Sequence, residues 1–166
     1  MSKTRKLLFV SQQAPWPLDS GGNLRTYHLL RALNERFEVT LVSTDPGGVA
    51  ASRLAEVAAE VVLVPAMNKA GVFGRAASLL KSLFTAEPVL LAHNKSEALD
   101  AVCRERLASG EYSALHLNHL DTTPYARHSK GVPVVIDTHN VLTEYAERRS
   151  EHGRWRENAA EAGAGN

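Results

Sequence analysis

The chain is poor in several features that mark whole classes of protein. Its 166 residues hold one cysteine, Cys103, which excludes a disulfide framework and a cysteine-based metal site and predicts a small buried hydrophobe. No uncharged stretch reaches the ~18 residues of a transmembrane helix. The apolar run at 7–10 behind the basic N-terminus is too short for a signal peptide. We therefore expect a cytoplasmic protein and leave open peripheral contact with the inner membrane face.

The charge balance is also unremarkable in sign and size. A formal net charge of +1 gives no argument for binding nucleic acid or a strongly acidic partner. Apolar residues make up 44% and charged residues 22% of the chain, as is usual in a soluble globular protein. The length suits one domain with its own core. We assign residues 1–150 to that domain and residues 151–166 to a frayed tail.

Hydrophobic patterns of two periods alternate along the chain. Short apolar runs suit parallel strands covered on both faces, and longer segments with a 3.6-residue period suit helices. Such alternation predicts an α/β, Rossmann-like three-layer domain with a mostly parallel sheet. The helix at 72–84 fits either a core helix or a basic amphipathic helix that touches a membrane surface or a bulky apolar substrate. Strands are predicted at 7–10, 37–42, 61–64, 112–117 and 132–136, and helices from 23 and at 48–59, 72–84, 96–108, 123–129 and 142–149.

Residues 6–34 are predicted to form a strand, a loop with two prolines and the pair Gly21–Gly22, and a helix capped by Ser20 or Asn23. The unpaired N–H groups and the dipole of a helix N-terminus favour an anion. The glycine pair fits either a phosphate-binding loop or an ordinary turn. A Gly-x-Gly-x-x-Gly fingerprint is missing, which argues against a nicotinamide oxidoreductase, and there is no Gly-Lys-Ser/Thr phosphate loop.

Clusters of polar residues follow three of the predicted strands. They are the loop after residue 10, segment 116–119 and segment 137–140. In a parallel sheet these ends share one edge, where ligands of open α/β folds bind. Arg25 fits either a phosphate contact or solvent, His116 either a core or a functional histidine, and Asp137 either a turn or cap or a site carboxylate. No histidine pair has metal-ligand spacing, so we expect no metal. The candidates are Asp19, Gly21, Gly22, Arg25, His116, Asn118, His119, Asp137, His139 and Asn140.

Three segments carry a resemblance to a known family. The opening LLFVSQQAPWPLDSGGNLRTYHLLRAL at 7–33 resembles the N-terminal signature of family 4 glycosyltransferases, which are retaining enzymes of the GT-B fold. Residues 112–119, and VPVVIDTHNV at 132–141 followed by Tyr145 and Arg148–Arg149, are similar to two further stretches of the same N-terminal domain. The match spans about residues 6–150.

The resemblance implies two Rossmann-like domains that face a cleft and move a sugar from a nucleotide-sugar donor to an acceptor with retention. It implies no cofactor beyond that co-substrate. This chain would be the acceptor-side N-terminal half, with 151–166 as a tail or the start of the interdomain region. The donor-binding C-terminal domain would be absent, and this half inactive alone. The alternative is a stand-alone Rossmann-like binding module for a small anionic ligand or a partner subunit.

The resemblance also distributes roles among the candidates. Many relatives carry His-x-His at the end of the fourth strand, whereas here the order is His116-Leu117-Asn118-His119, so Asn118 takes the place of the second histidine. The implied catalytic positions are His139, His119 and Asn118, the implied donor-diphosphate contacts are Gly21, Gly22 and Arg25, and the implied acceptor contacts are Asp19, His116, Asp137 and Asn140.

Overall fold

The computed structural model describes residues 5–45, 51–66 and 96–138. Five strands form one sheet: β1 Lys6–Ser11, β2 Glu38–Asp45, β3 Glu60–Pro65, β4 Tyr112–Asn118 and β5 Val134–Asp137. The helices are α1 Gly21–Asn34, α2 Ala51–Leu54, α3 Glu97–Ala108 and a 3₁₀ helix at Leu120–His128. The strand order is β3-β2-β1-β4-β5, and every described strand pair is parallel. The predicted α/β Rossmann-like fold is confirmed.

The two long described helices each begin after a serine cap, and for α1 that cap is Ser20 and not Asn23, the other residue that the sequence allowed. The hydroxyl of Ser20 accepts from the backbone N–H of Asn23 at 3.2 Å, and that of Ser96 accepts from Leu99 at 3.3 Å. Because Ser20 is the cap, α1 starts at Gly21, and Gly21 and Gly22 are the first residues of the helix. The prediction that this pair forms part of the loop was wrong.

Other boundaries differ from the expected ones. The helix expected at 48–59 is only the four-residue α2 within the described part of that range. The helix expected at 123–129 is a 3₁₀ helix that begins at Leu120 and contains Pro124. A 3₁₀ pattern uses i→i+3 hydrogen bonds, such as the one from Thr122 to His119 at 3.2 Å. The helices expected at 72–84 and 142–149 lie outside the described residues.

Each face of the sheet carries its own apolar cluster. The face under α3 and the 3₁₀ helix buries alternate residues of the central strands against Cys103 and Tyr125. The opposite face packs against α1 and α2, with Leu30 and Leu54 fully buried. Cys103 is buried as predicted, and burial raises the pKa of its thiol to about 12. The domain is therefore a three-layer α/β/α structure.

On the α1 face the apolar pattern ends at the carboxyl ends of the strands. Four polar residues stand side by side there, one on each of four adjacent strands, in the order Ser43, Ser11, Asn118 and Asp137. Alternation puts Ser11 on the same face as Phe9, which belongs to the cluster under α1. The first turns of α1 therefore lie over a polar row, which we call the strand-end row.

Candidate functional site

The site lies where the strand order reverses. The chain runs from β1 to β2 on one side, whereas β4 lies on the other side of β1, and open α/β sheets bind ligands in the crevice at such a switch point. A pocket of about 290 Å³ opens there. It is lined by Ser11, Gln12, Gln13, Pro15, Gly22, Asn23, Thr26, Asn118, His119 and Asp121.

One wall of the pocket is the N-terminus of α1. Within the described residues, neither Gly21 nor Gly22 has an acceptor for its backbone N–H, and the first turn of the helix carries no acidic residue. Gly22 lines the pocket, and a Cβ built on it meets no atom within 4 Å. The open N–H groups and the helix dipole make this wall suitable for a negatively charged group.

The floor of the pocket holds Asn118, which is only 6% exposed. Its Nδ2 donates to the Ser11 hydroxyl at 3.1 Å and lies 3.4 Å from the hydroxyl of Thr26. Because the Ser11 hydroxyl itself donates to the carbonyl of Gln13 at 2.8 Å, its oxygen is free to accept, which sets the orientation of the amide.

The side-chain oxygen of Asn118 is not hydrogen-bonded in the same way as its nitrogen. Within the described residues its buried Oδ1 has no hydrogen-bond partner. A carboxamide does not ionise near neutral pH, so the chemistry that Asn118 offers is hydrogen bonding. The resemblance implies a catalytic role for this residue, and its chemistry is suited to holding a ligand group and not to proton transfer.

His119 turns the chain at the pocket rim. Its φ of 84° lies in the left-handed region, which costs a side-chain-bearing residue conformational energy. The backbone N–H of His119 donates to the carbonyl of Asp137 at 2.8 Å, and its Nδ1 lies 3.6 Å from Oδ1 of Asp121. The turn thus carries an imidazole and a carboxylate side by side into the pocket lining, the one proton-transfer pair that the described lining contains.

His116 lies one layer deeper in the sheet. Its imidazole stacks on the ring of Phe9 with centroids 4.5 Å apart and planes 7° from parallel, and the residue is buried. The structure does not place His116 in the pocket lining. Of the two interpretations left open by the sequence, this geometry fits the packed sheet histidine.

Arg25 and Asp137 form an ion pair in which the arginine stays half exposed and the aspartate is mostly covered. The guanidinium donates to the carboxylate twice, at 2.8 Å and 3.1 Å, which joins the second turn of α1 to the end of β5. A carboxylate at the end of an apolar strand needs such a partner. Asp19 also has a partner, since it accepts from the side chain of Asn23 at 3.2 Å. His139 and Asn140 lie outside the described residues.

Several lining residues were missed by the sequence reasoning. Ser11, Gln12 and Gln13 lie in the predicted loop after residue 10, which the strand-end rule selects, but none of the three was named as a candidate. Thr26 stands four residues after Gly22 on the same face of α1. Asp121 carries no signal in the sequence, because only the turn at His119 brings it to the pocket.

The described residues hold neither a metal-binding group nor a membrane-spanning helix. No group of three or more histidine, cysteine, aspartate or glutamate side chains lies close enough together to hold a metal ion in the part of the chain that the structure describes. In the same residues, no helix combines the length and the hydropathy needed to cross a membrane.

Comparisons with known proteins give one family and one fold. A family model described as a glycosyl transferase 4-like domain matches residues 20–165. No curated protein matches the chain significantly. Two crystal structures of the C-terminal domain of a hydrogenase from Pyrococcus furiosus superpose with a TM-score of 0.51 and 16% identity, over 82% of this chain and 94% and 93% of theirs. At that identity the likeness concerns the fold alone.

Proposed function

Because the chain belongs to the glycosyl transferase 4-like domain family, we propose that it is the acceptor-side, N-terminal domain of a retaining glycosyltransferase of the GT-B fold. Its substrates are a nucleotide-sugar donor and a sugar acceptor, and no further cofactor takes part. Residues 1–150 form this domain. A second, donor-binding domain faces the carboxyl edge of the sheet and supplies most of the nucleotide contacts.

The observation that carries this proposal is the pairing of two unlike walls in one pocket. The helix wall at Gly22 offers backbone donors and a positive dipole, which suit a diphosphate. The floor at Asn118 and the rim at His119 offer hydrogen-bonding side chains, which suit sugar hydroxyls. A ligand that satisfies both walls carries a phosphate and hydroxyl groups within a few ångströms of each other.

Transfer with retention in this arrangement depends on placement more than on a protein nucleophile. As the bond between sugar and diphosphate breaks, negative charge grows on the leaving oxygens, and preorganised N–H donors stabilise that charge without reorganising. The acceptor hydroxyl is held on the same face of the sugar by the rim of the pocket. We assign the proton of that hydroxyl to Asp121, which lines the pocket with its Oδ1 3.6 Å from Nδ1 of His119.

An isolated half binds its ligand weakly and does not complete the reaction. The N-terminal wall contacts the diphosphate, whereas the sugar and base are held by the second domain, so most of the binding free energy comes from that second domain. We expect millimolar binding of a nucleoside diphosphate by these 166 residues and no nucleotide release from nucleotide sugars.

The test is an NMR titration of the ¹⁵N-labelled chain with uridine diphosphate. The amide signals of Gly21, Gly22 and Asn23 should shift together, and Gly22→Leu should weaken binding at least about tenfold, because the new side chain fills the pocket wall. Ala32→Leu, an exposed position later in the same helix, is the matched control and should bind as the wild type does. Shifts that avoid the α1 terminus, or unchanged binding by Gly22→Leu, would refute the role of this wall.

A second measurement separates the glycosyltransferase from a stand-alone binding module. In a protein that carries both domains, Gly22→Leu should abolish sugar transfer while Ala32→Leu leaves it intact. A module that serves only to bind an anion would show the same titration and no transfer under any condition.

A further inference from the structure

The ion pair of Arg25 and Asp137 stands beside the anion-binding wall. Its two hydrogen bonds, 2.8 Å and 3.1 Å long, have the fork geometry that a guanidinium forms with a carboxylate and forms equally with a phosphate. The two partners differ in exposure, since the side chain of Arg25 is 51% exposed and that of Asp137 only 16%. The guanidinium is therefore more accessible to an incoming anion than the carboxylate is.

The helix geometry puts Arg25 on the same face as the open N–H groups. It lies three residues after Gly22 and four after Gly21, which is one turn of α1, and helical side chains lean toward the N-terminus. The sheet sets the other half of the pair. Asp137 is the register neighbour of Asn118 in the strand-end row, so its carboxylate lies one strand spacing from the pocket floor.

A second, independent observation marks this place as a ligand site. Asn118 is more than nine-tenths buried, lines the pocket, and has a side-chain oxygen without a hydrogen-bond partner among the described residues. A buried acceptor left in that state costs free energy unless a ligand donor or water meets it.

We propose that Asp137 is an internal competitor for Arg25, and that a phosphate group bound at the N-terminus of α1 takes the guanidinium from it. This rests on the proposed function, because it assigns the phosphate to the same wall. In the empty site the carboxylate occupies the guanidinium fork. In the loaded site the phosphate holds both the fork and the helix N–H groups, and no covalent bond changes.

The exchange links the two substrates. Once Arg25 has moved to the phosphate, the Asp137 carboxylate becomes an acceptor for a sugar hydroxyl at the edge of the pocket. Donor binding thus prepares a contact for the acceptor, which is positive coupling between two sites through one shared side chain. Asp137 acts as a positioning residue for Arg25 before the donor arrives and as an acceptor contact afterwards.

The experiment is a double-mutant cycle on the dissociation constant of inorganic pyrophosphate, measured by NMR titration at constant ionic strength. Asp137→Asn should tighten binding about fivefold, the upper range for an exposed ion pair. Arg25→Gln should weaken binding. In that background Asp137→Asn should change the dissociation constant less than about twofold, because the guanidinium for which carboxylate and phosphate compete is gone.

Asp121→Asn is the matched control for simple charge removal. Asp121 lines the same pocket and lies beside His119, so we expect its neutralisation to have the same effect with and without Arg25. Asp137→Ser repeats the test if Asp137→Asn fails to fold.

Each contrary result has its own meaning. An unchanged dissociation constant in Asp137→Asn, or an equal gain in both Arg25 backgrounds, overturns the competition and leaves the proposed function standing. Failure of the wild-type chain to bind pyrophosphate at the α1 terminus overturns the proposed function itself.

Discussion

The carboxamide of Asn118 donates to the hydroxyl of Ser11 at 3.1 Å, between residues 107 positions apart in the chain. The bond joins the ends of β4 and β1, the two strands that flank the reversal of strand order. It holds the floor of the pocket together and at the same time leaves the Asn118 oxygen unpartnered among the described residues. The pocket floor therefore offers one buried hydrogen-bond acceptor to a ligand.

The unpartnered oxygen predicts that two substitutions of Asn118 differ in their effect on the free energy of unfolding. Asn118→Leu should change the free energy of unfolding by less than about 1 kcal/mol, because it removes two hydrogen bonds and also the unpartnered oxygen. Asn118→Asp should lower it by about 2–4 kcal/mol, since a buried carboxylate there replaces the amide donor. Urea unfolding at pH 7 measures both. An Asn118→Leu variant as unstable as Asn118→Asp would show that the amide is needed for the fold and not for a ligand.

Two of the described glycines should respond to alanine in opposite directions. Gly21→Ala should raise the free energy of unfolding by up to about 1 kcal/mol, because alanine is the better helix former and a Cβ there meets nothing within 4 Å. Gly131→Ala should lower it by about 1–2 kcal/mol, since Gly131 has a φ of +91°. Thermal unfolding compares the two variants directly. Equal effects at the two positions would mean that the first turn of α1 needs glycine for its conformation.

Asp100 should make stability depend on acid. Burial raises the pKa of this carboxyl, but hydrogen bonds from His128 and Arg127 outweigh burial and hold it below the ordinary 3.8. A carboxyl whose pKa is lowered by folding stabilises the folded state at any pH above its unfolded-state pKa. This contribution is lost as the pH falls through the folded-state pKa. As the pH falls from 5 to below about 3.8, the free energy of unfolding should therefore decrease more steeply for the wild type than for Asp100→Asn.

The measurement for Asp100 is the urea midpoint across that pH range. Glu105→Gln, which removes an exposed carboxylate from the same helix, is the control and should keep the wild-type slope. Parallel curves for wild type and Asp100→Asn would show that the contacts of Asp100 with Arg127 at 2.6 Å and His128 at 2.8 Å do not persist in solution.

Much of the fold could be predicted because its signals are local. Apolar runs located all five described strands to within a few residues, and the two long helices, expected from 23 and from 96, begin within two residues of those positions. Each depends on neighbours within four positions, which periodicity and capping describe well. The glycine pair was misplaced because glycine fits both a turn and a first helical turn, and only the cap at Ser20 separates the two.

The site could be predicted only as a place. Strand-end chemistry drew attention to Asn118 and His119, which line the pocket, but also to His116, which stacks on Phe9 one layer below. Strand alternation puts His116 and Asn118 on the same face, so their depth depends on where β4 ends against β1. That is a matter of register between distant segments.

Local pattern alone is therefore enough for the parallel α/β domain, for its two capped helices and for the edge of the sheet at which polar residues gather. The partners of those residues are set by the packed structure. Arg25 and Asp137, 112 positions apart, meet because α1 crosses over the strand-end row and β5 lies beside β4. No periodicity encodes such a pair, since strand order and register arise from the burial of both sheet faces at once. The first turn of α1, which reads as a loop in the sequence, becomes in the fold a helix end held over a polar floor.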